Sequence, residues 1–361
     1  MTTLSPLLLS CLSLFDSSVR LDHFLGAPFS PKSMQLDRAR RTLEWCEKRG
    51  VHILHPDSDD YPEAFFALEK PPLFLSVQGS LESVAGLKPR LAVVGTREPS
   101  NRALEWIDHH LSQFLSERQA VIVSGGARGI DQKAHRVAIR EGAPTLVFLP
   151  SGLAKIYPSE IESWKEALFA SGGALVSPYA PEQEIRRRHF EGRNRLIASL
   201  GQVVLIAEAQ RRSGSIMTAR LASELGRTLA VLPSFPGEPS SAGTLDLLFN
   251  GAFPLRDSAD LLTLFDYGTV AGADFNYGLS PSTAHAEGGG HGEDGIRNPH
   301  RNRRRQLTFA RSALGGDIND PIDNDQSDAE DASAPLGISS VGDRAQARTN
   351  EGEEKAGYTD R

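Results

Sequence analysis

The chain has 361 residues, of which 39% are hydrophobic and 24% charged, a composition that suits a globular protein with room for two domains and a sizeable core. A net charge of −7 at pH 7 argues at first against a nucleic-acid partner. The acidity is confined to one end, however. Residues 266–361 hold 17 acidic and 10 basic side chains, while residues 1–265 hold 29 of each, and a neutral body can still carry a basic pocket. The two cysteines, Cys11 and Cys46, are far apart with no metal-ligand spacing, which suits a reducing, cytoplasmic setting with both as small buried hydrophobes.

The opening stretch MTTLSPLLLSCLSLFDSS is apolar, but it is too short to span a bilayer and has no basic residue before its apolar run. It reads as a first core helix rather than a leader. LDRARRTLEWCEKRG puts Leu36, Ala39, Leu43 and Cys46 on one stripe, with Gly50 as a C-terminal stop. From Asp57 to Ser80 the pattern is a turn, a short helix and an extended segment. Residues 1–75 are expected to form a small helical N-terminal domain.

Residues 76–265 alternate short apolar runs with helical patterns. The runs are RLAVVGT, AVIVSGG, APTLVFLPS, GALVSP, QVVLIAEA and TLAVLPS. Several are apolar throughout, as strands buried on both faces are, and their spacing of roughly 25–35 residues fits βαβ units. The prediction is an α/β fold with one open, doubly wound, mostly parallel sheet. Residues 266–361 are Gly-rich, then basic, then acidic, with little to bury, and are expected to be disordered.

Three strand–loop–helix junctions stand out. In LAVVGTREPSNRALEWI, Gly95 permits a tight turn, Ser100 is a candidate N-cap and Arg97 lies in the loop; a purely structural turn is the plain alternative. In VIVSGGARGIDQKAH, Ser124, Gly125, Gly126 and Gly129 allow close approach. The helix starting near Asp131 turns free N–H groups and its positive dipole end toward an anion, and Arg128 adds a charge-assisted donor. Asp131 reads as the N-cap rather than a catalytic acid, and His135, one turn on, as its local contact. This loop departs from both G-x-G-x-x-G and G-x-x-x-x-G-K-[ST]. In VVLIAEAQRRSGSIMTARLASELG, Ser213, Gly214 and Ser215 precede a helix that Gly226 stops, with Arg211 and Arg212 on a solvated loop.

Two further pieces add to these. RRRHFEGRNRLIASLG gathers arginines around Phe190 and Asn194, which suits a backbone groove where a base stacks on the ring; the alternative is a helix start with Phe190 in the core. SGLAKIYPSE supplies Lys155 and Tyr157. On one sheet edge, Arg97, Arg128, Arg193 and Arg195 would form a phosphate-reading surface beside the glycine-rich donors. Glu208 ends a strand as a possible base without an evident partner. No catalytic residue, metal site or cofactor site is assigned.

VGTREPS, VSGGARGIDQKAH, GLAKIYPSE, FEGRNRLIASL, VVLIAEAQRRSGSIMTARLASELGR and GTLDLLFNGA occur in that order. With these motifs the chain closely resembles the DprA/Smf family, the DNA-processing proteins of bacterial natural transformation, from about Pro72 to Asp260. The resemblance implies an extended Rossmann-like fold, sequence-independent binding of single-stranded DNA, protection of incoming DNA, loading of the RecA recombinase, and a homodimer that is not an enzyme. Carried over by motif, the DNA site comprises Gly95, Thr96, Arg97, Ser124, Gly125, Arg128, Gly129, Lys155, Phe190, Arg193, Asn194, Arg195, Gly214 and Ser215. The chain departs from the family pattern at Pro150, where Gly is usual, at Ser234, where the family has Gly after Pro, and at Leu245, where it has Asn. The winged-helix domain that ends many members has no counterpart in the pattern here. The other class considered, a nucleoside-monophosphate phosphoribohydrolase of the lysine-decarboxylase-like type, shares the fold but uses a PGGxGT loop with a nearby Glu; SGSIMT stands at the comparable place.

Overall fold

The computed structural model describes residues 4–24 and 26–267. Apart from Asp266 and Tyr267, the tail expected to be disordered lies outside the described residues. Nine strands form one sheet: β1 His52–Leu54, β2 Leu75–Gly79, β3 Arg90–Val94, β4 Val121–Ser124, β5 Thr145–Phe148, β6 Ala174–Ser177, β7 Val203–Ile206, β8 Thr228–Val231 and β9 Phe253–Pro254. Their spatial order is β1-β2-β6-β5-β4-β3-β7-β8-β9. From β6 to β9 every pairing is parallel, whereas β2 pairs antiparallel with β6 and β1 antiparallel with β2. The predicted doubly wound, mostly parallel sheet is therefore present.

Burial explains why the apolar runs do not alternate. Every residue of β4, β5, β6 and β7 is buried. Ile122 of β4 belongs with Leu91, Ile107 and Phe114 on one face, and its neighbour Val123 with Phe148, Leu196 and Ile206 on the other. Successive strand residues point to opposite faces, so a strand covered on both sides must be apolar at each position.

The N-terminal segment contributes more than helices. Helices Pro6–Ser13 and Ser33–Glu47 are both present, and Cys11, Ala39 and Cys46 are buried alongside Leu149, Ile161 and Leu168. Desolvation pushes the Cys11 thiol up to about 12 and the Cys46 thiol up to about 11, so both are unreactive core groups. The segment also supplies β1 and β2, the antiparallel edge of the sheet. Between them the 3₁₀ turn Glu63–Ala67 sets Phe65 edge-on to Phe148 of β5, ring centroids 6.4 Å apart. No helix among the described residues is long and apolar enough to cross a membrane.

The chain runs outward from β3 to β4, β5 and β6, then crosses back to the other side of β3 for β7, β8 and β9. The direction of winding reverses at β3. In open α/β sheets the crevice outside the carboxyl ends of the strands at such a reversal is where ligands bind.

The packing of Phe65 gives a direct check. Phe65→Ala is expected to lower the free energy of unfolding by about 3–5 kcal/mol, read from the denaturant midpoint of the whole chain. A loss below about 1 kcal/mol would show that this ring is not a structural part of the core.

Candidate functional site

A cleft of about 530 Å³ opens beside the reversal point, over the carboxyl ends of β3, β4 and β5. Arg97 and Glu98 line it from the loop after β3, Gly125 and Arg128 from the loop after β4, and Pro150 from the loop after β5. Tyr157 and Glu160 form a wall, and Phe190 and Arg193 reach in from helix Arg187–Leu200.

Gly125 is required by its neighbour. A Cβ there would lie 1.1 Å from Nη1 of Arg193, so the guanidinium occupies the space of the missing side chain. Arg193 is only 5% exposed. Its Nη1 donates to the Phe148 carbonyl at 3.3 Å, while Nε has no partner. Burial lowers the pKa of this guanidinium, the Asp131 charge opposes that shift, and Arg97 adds to it. Asp131 is itself buried, and its Oδ2 accepts from the Gly125 N–H at 3.2 Å. Burial raises the Asp131 carboxyl above its usual range against the pull of Arg193. The two buried groups thus act on each other electrostatically beneath the glycine loop, without a direct ion pair.

Two expectations are corrected by this arrangement. Asp131 is not the N-cap: Gly129 holds that position with φ +83°, helix Ile130–Arg140 starts after it, and the Asp131 carboxylate turns inward. His135 does not contact Asp131. Its Nδ1 lies 2.7 Å from Thr145 Oγ1, and its ring stacks on Trp164 at 5.7 Å. Both contacts come from later in the chain, which helical spacing alone cannot anticipate.

The remaining predicted residues divide by role. Gly95, Thr96 and Gly129 close the two loops on each other: a Cβ at Gly129 would come within 2.4 Å of the Thr96 carbonyl, and one at Gly95 within 2.5 Å of Ile130. Ser124 is buried and donates to the Val93 carbonyl. Asn194 Nδ2 donates to the Gly214 carbonyl at 3.3 Å, and Ser215 Oγ to the Gly95 carbonyl at 2.9 Å; these bonds hold the start of helix Gly214–Glu224 against its neighbours. Lys155 and Arg195 are not brought into the cleft. Lys155 lies 3.9 Å from Glu182, and Arg195 donates to Glu191 at 3.0 Å.

Several backbone donors of the loops are already spent. The Gly125 N–H goes to Asp131 and the Ile130 N–H to the Thr96 carbonyl at 3.3 Å. The charge available to a ligand is therefore mainly that of side chains. Arg97 is exposed and makes no ion pair among the described residues, and its guanidinium carbon lies 5.9 Å from the Phe190 ring centre. Arg193 approaches the same ring at 6.0 Å, and Tyr157 stands edge-on to it at 6.1 Å. Phe190 is half-buried, so its ring belongs to the cleft as well as to the packing below. Arg186, Arg187 and Arg188 are exposed at the start of the same helix.

Glu208 has a partner after all. Its two carboxylate oxygens accept from the Ser100 N–H at 2.8 Å and the Ser100 hydroxyl at 2.6 Å. Ser100 in turn caps helix Asn101–Trp106 through the Ala103 N–H at 3.2 Å. This buried carboxylate positions a helix and is not a free base. Of the three departures from the family pattern, Pro150 lines the cleft, and its carbonyl lies 3.1 Å from His189 Nδ1. Ser234 bonds to Thr244 at 3.1 Å and Leu245 sits half-buried on helix Ala242–Phe249; neither lines the cleft.

Glu160 and Glu98 were missed in the sequence, because carboxylates run against the expectation for an anion site. The signal available for Glu160 was its position within YPSE, two residues after the Tyr-Pro pair.

Two variants test the buried layer. Gly125→Ala forces Arg193 out of its place and is expected to destabilise by about 1–3 kcal/mol in denaturant unfolding, as overpacking does; unchanged stability would contradict the tight fit. Burial, with Arg193 adding to it, holds the His135 imidazole down at about 3, whereas an unfolded histidine titrates near 6.5. Between those values the unfolded chain binds the extra proton, so stability falls as the pH falls, by up to about 1.4 kcal/mol per pH unit. His135→Phe is expected to flatten that slope between pH 6 and 4. An unchanged slope would show that His135 does not carry it.

Comparison with known proteins agrees with this fold. A family model described as DNA recombination-mediator protein A matches residues 52–266. Protein Smf of Synechocystis is 35% identical over 222 residues, covering 61% of this chain and 55% of that protein. The chain spans little more than half the length of the curated Smf relatives it matches. Among solved structures, DNA processing protein A from Streptococcus pneumoniae superposes with a TM-score of 0.58 at 26% identity, covering 72% of this chain and 93% of the other. DNA processing protein A from Helicobacter pylori, whose structure was described for its single-stranded DNA binding mode, gives 0.53 at 31% identity, covering 60% and 95%. The match to the family model extends over more than half of the chain and takes in every loop of the cleft, and the chain belongs to the DNA recombination-mediator protein A family, the DprA/Smf proteins.

Proposed function

We propose that this chain binds single-stranded DNA along the reversal-point cleft, without preference for base, and that it holds the strand rather than transforming it. The observation that carries the reading is the pairing of Arg97 with Phe190: an exposed guanidinium, without an ion pair among the described residues, set above a half-buried ring. Such a pair offers a phosphate a charge-assisted donor and offers the adjoining base a stacking face. Every nucleotide has both features, so no sequence is favoured. The arginines at 186–188 continue the positive rim along the same helix.

The membership in the family and the DNA-binding description of the Helicobacter pylori relative support the same ligand. The reading assigns no reaction. The two buried carboxylates nearest the loops act in the packing, Asp131 accepting from the Gly125 N–H and Glu208 from Ser100. On the resemblance set out above, the proposal extends to protection of incoming DNA, its transfer to RecA, and action as a cytoplasmic homodimer.

Several phosphates held together make affinity fall with salt, and stacking on Phe190 contributes about 1–3 kcal/mol. The test is fluorescence anisotropy with labelled dT and mixed-sequence oligonucleotides. Arg97→Ala is expected to weaken both by a similar factor, on the order of tenfold, a charge-assisted contact being worth about 1.5 kcal/mol. Losses that differ between the two oligonucleotides, or no loss, would contradict this assignment.

A further inference from the structure

The cleft already contains an anion of its own. Glu160 lies in the short 3₁₀ turn Ser159–Ser163 that follows Pro158. Its Oε1 accepts from both Nε and Nη2 of Arg128, at 2.8 and 2.6 Å. Both side chains line the cleft, and they are 75% and 36% exposed, Arg128 the more open of the two.

This geometry has a chemical likeness. The Nε and Nη2 edge of a guanidinium that this carboxylate oxygen takes is also an edge that receives phosphate oxygens. The backbone N–H of Glu160 and then Arg128 keep the carboxyl below its ordinary range, so it is ionised at neutral pH. An exposed ion pair of this kind is weak and readily exchanged. Glu98 provides the internal contrast. It lines the same cleft and is exposed, yet it makes no ion pair among the described residues.

We propose that Glu160 is a built-in phosphate surrogate: its carboxylate occupies Arg128 until a phosphate of the strand displaces it. The inference rests on the reading that this cleft holds the DNA strand. It assigns Arg97 and Arg128 different parts. Arg97 is open to the first phosphate, whereas Arg128 engages only after an exchange of anions. A strand that is anchored elsewhere in the cleft keeps a phosphate close to Arg128 and wins that exchange through effective concentration. A single free phosphate group lacks that advantage. Glu160 then tunes the site toward an extended polyanion and away from isolated phosphates.

The experiment is a double-mutant cycle on the full chain, read by anisotropy of a labelled dT oligonucleotide at low salt. Glu160→Gln is expected to tighten binding roughly two- to fivefold, the range spanned by one exposed ion pair. Glu160→Ala, which leaves no acceptor, moves the same way. Glu98→Gln, which removes an equal charge from the same cleft, has the smaller effect. In an Arg128→Ala background the gain from Glu160→Gln falls to that of Glu98→Gln. The proposal is overturned if Glu160→Gln binds no more tightly than the unaltered chain, or if its gain persists undiminished without Arg128, since only net charge would then be at work. If the unaltered chain binds no oligonucleotide at all, the reading of the cleft itself fails, and that result differs from a chain that binds but ignores Glu160.

Discussion

The Arg193 guanidinium fills the space that a side chain at Gly125 would need, and it feels the charge of Asp131, both groups being withdrawn from water. Much at the loop end of the sheet is held by that arrangement. It dictates a glycine at the end of β4. It turns Asp131 inward, where it takes the Gly125 N–H and fixes the loop. It also brings a positive charge beneath Phe190, the ring that Arg97 covers from outside. Removing either member of a coupled buried pair leaves an uncompensated charge, which is why such pairs are costly to break even when they add little net stability. The pair is a positioning device whose value lies in the shape of the cleft above it.

The sheet supplies the setting. Because β3, β4 and β5 are neighbouring parallel strands, the loops after them emerge side by side at one edge of the sheet. Helix Arg187–Leu200 crosses beneath them and delivers both Phe190 and Arg193 from one turn. Ser215 ties the start of the neighbouring helix to the loop after β3, and Asn194 ties it to helix Arg187–Leu200. The floor of the cleft is therefore built on well-packed elements, while Arg97, Glu98 and Arg128 stand exposed above it.

Much of this was legible in the amino-acid sequence. The apolar runs marked all six parallel strands from β3 to β8, since burial on both faces leaves no alternation to misread. Ser100 could be named as a cap because capping is a local contact. The glycines of the loops were visible because close approach leaves few other choices. What stayed hidden depends on contacts between distant residues. β1 is three residues long and exists only through antiparallel pairing with β2. His135 meets Thr145 and Trp164, Glu208 meets Ser100, and none of these partners is set by spacing along a helix. Arg193 looked like a surface cation in an arginine-rich run, and only packing shows that it is buried while Arg97 is open. Glu160 could not be placed because a carboxylate is unexpected among phosphate-reading residues.

The central claim is that the cleft holds the backbone of an extended strand and is not a pocket for a single nucleotide. The most direct measurement is the affinity of the full chain for a labelled dT oligonucleotide across a salt series, with AMP as competitor. The account predicts binding at micromolar concentration or below, a steep linear fall of log affinity with log salt as several counterions are released, and no displacement by AMP. Weak, salt-insensitive oligonucleotide binding that AMP displaces would contradict it.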